Sequence, residues 1–373
     1  MCDRSDIKYR RREISIMNDS NSNNLDGNKI FSGTKEVAEN LKFNELGLQG
    51  WLDDNIASAG KIIEIAQFKG GQSNPTYKIT TENQKFVLRR KPPGVLLPSA
   101  HAVDREYKVM TALQQTKVPV PKTYGLCEDE EIIGTPFFVM DFLDGSIYWD
   151  LLLSDKSPAE KKEIYRSKNN VIAQLHMVDY QAVGLSDYGK PGNYIARQVS
   201  RWTKQYIASE TQDIPAMNSL IDWLPSNIPD EDETTIVHGD YRLDNMVFNP
   251  NNNVMGVLDW ELSTLGHPIA DFNYHCISWR NIPELSDEKF CQENGIPTEK
   301  EYRNMYSEIT GKNLDEHWEF YTIFNIFKLA GILQGIMGRV RDGTAASKHA
   351  EDRGNQVAPL AEAAWDLVEK NYK

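Results

Sequence analysis

The sequence predicts a two-lobed α+β protein, with a small β-rich lobe first and a larger, mostly helical lobe after it. Three observations carry that expectation. Between residues 62 and 91 three runs, Ile62 to Phe68, Tyr77 to Thr80 and Lys85 to Lys91, follow one another across short polar or glycine-rich turns, the pattern of an antiparallel sheet. From Ser157 onward apolar residues recur mostly at helical spacing, and Glu319 to Met337 is apolar and aromatic along one side. The chain has 373 residues, more than one core comfortably holds.

Composition narrows the function classes. Hydrophobic residues at 40% and charged residues at 25% describe an ordinary globular protein. No uninterrupted apolar run of about 18 residues occurs, so no membrane span is expected. A formal net charge of -13 argues against a nucleic-acid partner, which needs clustered Lys and Arg. Cys2, Cys127, Cys276 and Cys291 are scattered without a paired motif, which points to a reducing, cytoplasmic setting and against structural zinc. Residues 1–40 read as a disordered tail, with Asn18 to Asn28 offering almost nothing to bury. The tail has no apolar segment for a signal peptide, its acids Asp3, Asp6 and Glu13 argue against a transit peptide, and Met17 is an alternative start. The expected lobes are 41–143 and 144–373.

The chemistry gathers in one stretch of the second lobe. Ile236 to Phe248 is apolar at both ends and polar in the middle, reading His238-Gly239-Asp240, four residues, then Asn245. After the turn Asn249-Pro250-Asn251-Asn252-Asn253, a second apolar run from Val254 to Leu258 ends at Asp259-Trp260-Glu261. Two β runs joined by a polar turn make a hairpin, which brings Asp240, Asn245 and Asp259 towards one place. An Asp, an Asn five positions on, and an Asp after the next strand is the order of groups used in phosphoryl transfer of the protein-kinase type. There the first Asp orients or deprotonates a hydroxyl. The Asn and second Asp hold Mg2+, a hard cation that takes oxygen ligands and shares them with the phosphates of ATP.

From these residues the chain resembles the aminoglycoside phosphotransferase and choline kinase-like families of the protein-kinase-like fold, which have His-Gly-Asp where protein kinases have His-Arg-Asp. The resemblance runs from about Leu46 to the C-terminus. It is closest to the kinase-like domain linked to acyl-CoA dehydrogenases. It implies a bilobal kinase-like fold and an ATP- and Mg2+-dependent small-molecule kinase, with Asp240 catalytic and Asn245 and Asp259 as metal ligands.

Taken in order, Leu46 to Leu52 is expected to be a short helix. Strand, Lys69-Gly70-Gly71-Gln72-Ser73-Asn74-Pro75-Thr76, strand is the shape of a hairpin whose glycines let backbone approach anionic oxygens. The resemblance places Gly70, Gly71, Ser73 and Asn74 over the nucleotide phosphates. On the third strand Arg89 stands where kinases have a phosphate-gripping Lys, with Val87 on the same face; Arg90 and Lys91 read as a solvated strand end. Pro92 to His101 reads as a loop. Asp104 to Leu113 is a helix with Tyr107, Met110 and Leu113 on its apolar stripe, and Glu106 is the candidate partner of Arg89. Strands around Cys127 and at Phe137 to Met140 follow, and by order the hinge between lobes comes next, where adenine is expected to meet backbone near Met140 and Phe142.

In the helical lobe, His176 closes a helix and reads as a packing or capping residue. Gln198 to Tyr206 is a helix of mixed aromatic and basic character. Ordinary amphipathic packing and the family's cleft-flanking helix both describe it. Pro229 to Glu233 reads as a solvated acidic loop. Gly266-His267-Pro268-Ile269-Ala270-Asp271 resembles the family segment whose Asp braces the catalytic loop, so Asp271 is expected to be structural. Gly343 to Ser347 reads as a loop, and Pro359 to Glu369 as the last amphipathic helix.

Two other readings stay open on the residues: a non-catalytic nucleotide-binding protein of the same fold, and a metal-dependent phosphoesterase, which wants more clustered histidines than the chain has. Protein-kinase activity is disfavoured, because no segment ending in Ala-Pro-Glu follows Asp259. Resemblance to the dehydrogenase-linked branch suggests a hydroxyacyl-CoA acceptor, and an amino alcohol, a sugar or an aminoglycoside stays open beside it.

Overall fold

A computed structural model of the chain describes residues 33–69, 74–94, 102–343 and 354–373. The Gly70, Gly71 and Ser73 expectations, and most of the Pro92 to His101 and Gly343 to Ser347 loops, lie outside those residues.

The first half builds an antiparallel sheet of six strands: β1 (Thr34–Lys35), β2 (Ile62–Phe68), β3 (Thr76–Thr81), β4 (Lys85–Arg90), β5 (Thr123–Cys127) and β6 (Phe137–Asp141), in the order β1-β2-β3-β4-β6-β5. Register sets Tyr77 opposite Leu88 and Ile79 opposite Phe86. Strand alternation then divides β4 between two cores. Phe86 and Leu88 face helix α1 (Glu45–Asn55) and pack with its Leu48 and Leu52. Val87 faces the other way, towards α2 (Val103–Leu113), in a core that runs without a break into the helical half.

Two expectations need correction here. The stretch 33–40 is not all tail: Thr34 and Lys35 pair with Phe68 and Gln67 of β2, and the Ala38 N–H donates to Gln67 Oε1 at 3.2 Å. Arg90 is not a solvated strand end but is 2% exposed. Alternation turns it into the α1 core, where Phe43 and Tyr77 rings flank its guanidinium at 5.1 and 5.6 Å. Its Nη1 and Nη2 donate to the carbonyls of Ile133 (3.3 Å) and Leu41 (3.1 Å). A buried charge is tolerated only when so satisfied.

After the short α3 (Glu130–Ile133), the helical half opens with α4 (Pro158–His176). Its start is a capping box: the Ser157 N–H donates to Glu160 Oε2 at 2.9 Å, and the Ser157 hydroxyl accepts from the Glu160 N–H. Then come α5 (Tyr194–Ser209), α6 (Pro215–Trp223), β7 (Thr235–Val237), β8 (Met246–Phe248), β9 (Val254–Val257), β10 (Thr264–Gly266) and α7 (Pro268–Cys276). β8 and β9 form the expected hairpin, while β7 pairs instead with β10. The acidic loop before β7 is exposed but anchored: both Asp232 oxygens accept from the Asn193 N–H at 2.9 Å, and Glu233 pairs with Lys312.

The C-terminal part consists of α8 (Ser278–Asn281), α9 (Pro283–Ser286), α10 (Glu288–Asn294), α11 (Glu299–Thr310), α12 (Trp318–Arg341) and α13 (Val357–Tyr372). By length and composition α12 is apolar enough to cross a membrane, yet most of it is buried inside the fold. α5 packs along it at close range: a Cβ on Gly338 would sit 2.7 Å from Ser209 Cβ. α13 starts two residues before Pro359, which leaves the proline in the first turn, where a helix needs no N–H from it.

Candidate active site

β4 delivers Arg89 and α2 delivers Glu106 to the same buried point, with Arg89 Nε 2.7 Å from Glu106 Oε2. The contact is an ion pair whose N–H is poorly aimed at the oxygen, so it does not count as a hydrogen bond. The other end of the guanidinium is well aimed: Nη2 donates to Asp259 Oδ1 at 2.7 Å, and Glu261 Oε2 lies 3.5 Å away. Glu106 Oε1 also accepts from the Trp260 N–H at 3.4 Å. The sheet lobe and the segment after β9 are therefore joined through one arginine.

Asp259 has left-handed backbone, φ 62° and ψ 61°, which Asp tolerates better than most residues. Its neighbours hold the turn. The Leu258 N–H donates to the Asn245 carbonyl at 2.8 Å, and the buried Trp260 indole donates to the Val257 carbonyl at 2.9 Å. This tie sets Asn245 beside Asp259. The Asn245 Nδ2 in turn donates to the Asp240 carbonyl (2.9 Å) and lies 3.3 Å from Asp240 Oδ2. Only an amide nitrogen can make these contacts, so the Asn245 Oδ1 is the atom left to face a cation.

His238 fixes the loop from below. Its Nε2 bonds the Leu258 carbonyl at 2.9 Å, which requires the proton there, and its Nδ1 accepts from the Asp240 N–H at 3.3 Å. One imidazole tautomer thus sets both Asp240 and the approach to Asp259. Gly239 has φ 84°, and a Cβ on it would meet the Leu262 carbonyl at 2.8 Å, so the middle residue has to be glycine.

Asp271 on α7 takes the bracing position expected of it. Its carboxylate accepts from the His238 and Gly239 N–H groups at 2.9 Å each and bonds His176 Nε2 at 3.2 Å. His176 Nδ1 accepts from the Tyr306 hydroxyl at 2.8 Å, so His176 is a packing and positioning residue, as expected. Burial pushes the Asp271 carboxyl up, but its bond to His176 and the His238 contacts outweigh burial and hold it below its ordinary value.

Charge balance in the site is one-sided. One guanidinium faces the carboxylates of Glu106, Asp259 and Glu261. Burial pushes Glu106 up to about 7 despite Arg89, and the charges of Asp259 and Glu261 push the same way. For Arg89, burial works against the charge, yet the three carboxylates outweigh it and raise its pKa. Surplus carboxylates and an open amide oxygen are the donor set a hard divalent cation takes. The residues present therefore fit Mg2+.

Of the nucleotide-contact expectations, Asn74 is fully buried, with Nδ2 3.4 Å from Glu261 Oε2, which carries the strand turn to the site. The two hinge residues lie at the end of β6. Met140 lies inside β6, paired to Val87 on one side and Thr123 on the other, and the Phe142 N–H is donated to the Lys85 carbonyl at 3.4 Å. The sheet thus uses backbone that adenine was expected to meet there. The Phe142 ring is what the position offers, near-parallel to Phe68 at 6.4 Å.

Sequence reasoning overlooked Glu261 and Arg242. Glu261 was legible as a third carboxylate two residues past Asp259. Arg242, with Nε 3.6 Å from Asp240 Oδ1 and Nη2 2.6 Å from Asp244 Oδ2, was legible in the loop itself.

Comparison with known proteins accords with this geometry. Residues 64–305, more than half of the chain, match the family model described as the phosphotransferase enzyme family. The chain is 47% identical over 314 residues to mouse acyl-CoA dehydrogenase family member 10, covering 83% of this chain and 29% of that protein. It spans less than half the length of the curated relatives it matches. A crystal structure from Ralstonia eutropha, named provisionally as an aminoglycoside phosphotransferase, superposes with a TM-score of 0.81 at 51% identity, covering 88% of this chain and 99% of that one. A mutant aminoglycoside phosphotransferase in ternary complex with AMP-PNP and hygromycin B shares the fold, with a TM-score of 0.56 at 11% identity over 86% of this chain and 98% of that one. On its sequence match and on the arrangement around Asp240, the chain belongs to the phosphotransferase enzyme family, whose members act on hydroxyl groups.

Proposed function

We propose that this chain is an ATP- and Mg2+-dependent small-molecule kinase that moves the γ-phosphoryl group of ATP to an acceptor hydroxyl. The observation that carries the reading is the single arginine joining Glu106 to Asp259, beside an Asn245 amide oxygen left open next to Asp240.

The residues divide the work. Asp240 accepts a hydrogen bond from the acceptor hydroxyl and takes its proton as the oxygen attacks the γ-phosphorus. The bond from that phosphorus to the β–γ bridging oxygen breaks, and ADP leaves with the electron pair. Asn245 and Asp259, with Glu261 beside them, would hold Mg2+. When bound, Mg2+ neutralises phosphate charge. Arg89 turns its fork towards the phosphates, and Glu106 keeps the base of that fork in place. Gly70, Gly71, Ser73 and Asn74 cover the phosphates, and adenine lies against the sheet near Met140 and Phe142. Positioning and charge neutralisation supply most of the rate.

The acyl-CoA dehydrogenase names of the longer relatives favour a hydroxyacyl-CoA as acceptor. The neighbour's AMP-PNP complex favours an adenine nucleotide as donor. The buried, unpaired Cys127, Cys276 and Cys291 suit the proposed cytoplasmic setting.

The test is ATP consumption by purified protein with Mg2+ across 3- and 4-hydroxyacyl-CoAs, choline, ethanolamine, aminoglycosides and simple sugars. Turnover with one class, lost in Asp240→Ala, is the expected result. Turnover that survives Asp240→Ala would overturn the assignment.

A further inference from the structure

The connection between α4 and α5, residues 177–193, has no helix or strand of its own, and a loop that long is uncommon inside a compact domain unless it serves a site. Its Tyr188 is 1% exposed and touches both α2 and the segment after Asp259. Arg105, the neighbour of Glu106 on α2, donates from Nη2 to the Tyr188 carbonyl at 2.7 Å and to the Ser263 carbonyl at 3.4 Å. Its guanidinium lies 4.3 Å from the centre of the Tyr188 ring. The Tyr188 hydroxyl bonds Ser263 Oγ, and the direction of that bond is fixed. Ser263 Oγ donates its one proton to the Trp260 carbonyl at 2.6 Å, so it accepts from Tyr188. Burial pushes the Tyr188 hydroxyl up to about 12, which keeps in place the proton it donates.

These contacts close into a ring. Glu106 Oε1 accepts from the Trp260 N–H at 3.4 Å. Trp260 is joined through Ser263 and Tyr188 to Arg105, and Arg105 precedes Glu106 in the chain. On one side the ring holds the ion-pair partner of Arg89, and on the other the residue that follows Asp259. Ser263 also closes the turn after Asp259, its N–H donating to the same Trp260 carbonyl at 3.0 Å. Asp259 has left-handed backbone, so the aim of its carboxylate depends on that turn. Gly189 lets the loop approach, since a Cβ there would sit 2.7 Å from the Leu265 nitrogen of β10. Asp187 pairs with Lys108 of α2 at 2.6 Å, but both are exposed, and such a pair holds little. The buried ring is different: each member removed leaves another unmet, so it specifies one geometry.

We infer that Tyr188, together with Arg105, is a positioning residue for phosphoryl transfer, fixing Glu106 against the Asp259 segment so that phosphate grip and metal site stay in register before nucleotide arrives. It acts through Trp260 and Glu106. The inference rests on the kinase reading of the same site and adds to it what holds the two halves of that site together.

The experiment titrates the full chain calorimetrically with AMP-PNP, once with Mg2+ and once with EDTA, well below the Tm of each variant. The readout is the factor by which Mg2+ tightens AMP-PNP binding, which loss of stability alone does not change. That factor should fall at least threefold in Tyr188→Phe, which removes only the hydroxyl and keeps the ring, the carbonyl and the packing. It should fall at least tenfold in Arg105→Met and recover in part in Arg105→Lys. The double variant should lose less than the product of the two single losses, because both cut one ring. If Arg105→Met does not fold, Tyr188→Phe decides alone. A factor unchanged in Tyr188→Phe, or single losses that simply multiply, overturns the inference. Failure of the unaltered protein to bind AMP-PNP more tightly with Mg2+ is a separate result, and sinks the kinase reading beneath it.

Discussion

Nη2 of Arg89 lies 2.7 Å from Oδ1 of Asp259, so the cation proposed to grip phosphate is joined to the carboxylate proposed to hold metal. The pair neutralises two groups that a metal–nucleotide complex would otherwise engage. Under the proposed function, loading the site would exchange this contact for Arg89 on phosphate and Asp259 on the cation, with Glu106 retaining the Nε end.

Arg89→Met should separate the two roles of the arginine. Removing it strands Glu106, which is 1% exposed, and breaking a buried pair from one side costs about 3–5 kcal/mol. Nucleotide affinity should fall at least tenfold. Denaturant titration and nucleotide binding read the two effects, and an unchanged affinity would remove Arg89 from the phosphate grip.

Glu106 should make stability depend on pH. Its carboxyl is raised in the folded chain from 4.5 to about 7, chiefly by burial. The folded state therefore binds a proton that the unfolded state has released between those values, and stability falls as pH climbs from about 4.5 to about 7. Glu106→Gln should flatten that part of the profile, seen by comparing Tm at pH 5 and pH 7.5.

Asp240→Asn and Asp259→Ala should fail differently. The first keeps nucleotide binding and lowers turnover by about 10²–10⁴, the range of a lost general base. The second should weaken Mg2+-dependent nucleotide binding at least tenfold. Equal nucleotide affinities in the two variants would contradict the division of labour.

Asp271→Ala should unfold the loop's support without touching substrate. It strands the His238 and Gly239 N–H groups and a His176 bond, at about 2–4 kcal/mol for buried donors left unmet. Turnover should drop with stability, and Asp271→Asn, which keeps one acceptor oxygen, should recover part of both. Because the Asp271 carboxyl sits below its ordinary 3.8, its contribution is present above that pH and is lost on acidification through the lower folded value.

Arg90→Met tests the reassigned strand end. The Ile133 and Leu41 carbonyls each lose a charged donor, so stability should fall by about 2–3 kcal/mol. Nucleotide affinity should not change, because Arg90 faces the α1 core, away from Asp259.

Much of the site was legible because its chemistry is local. Asp240 and Asn245 come just before one hairpin and Asp259 just after it, and the order strand, Arg89, helix, Glu106 implied a pair that the structure closes at 2.7 Å. Arg90 was misread because alternation says which face a side chain takes, not whether another segment covers that face. Leu41 and Phe43, nearly fifty residues earlier, cover it. Around the hinge, sequence order located β6 but not the two strands that pair with it.

What the sequence by itself determined is the set of elements, their order, and the polar groups one turn must bring together, because periodicity and turn chemistry act over a few residues. What only the tertiary structure decided is which distant groups meet. Arg89 reaches Asp259 across 170 positions, and Asp271 reaches under Gly239. Burial and Coulomb interaction depend on distance in space, and chain separation carries no measure of that distance until the core has packed.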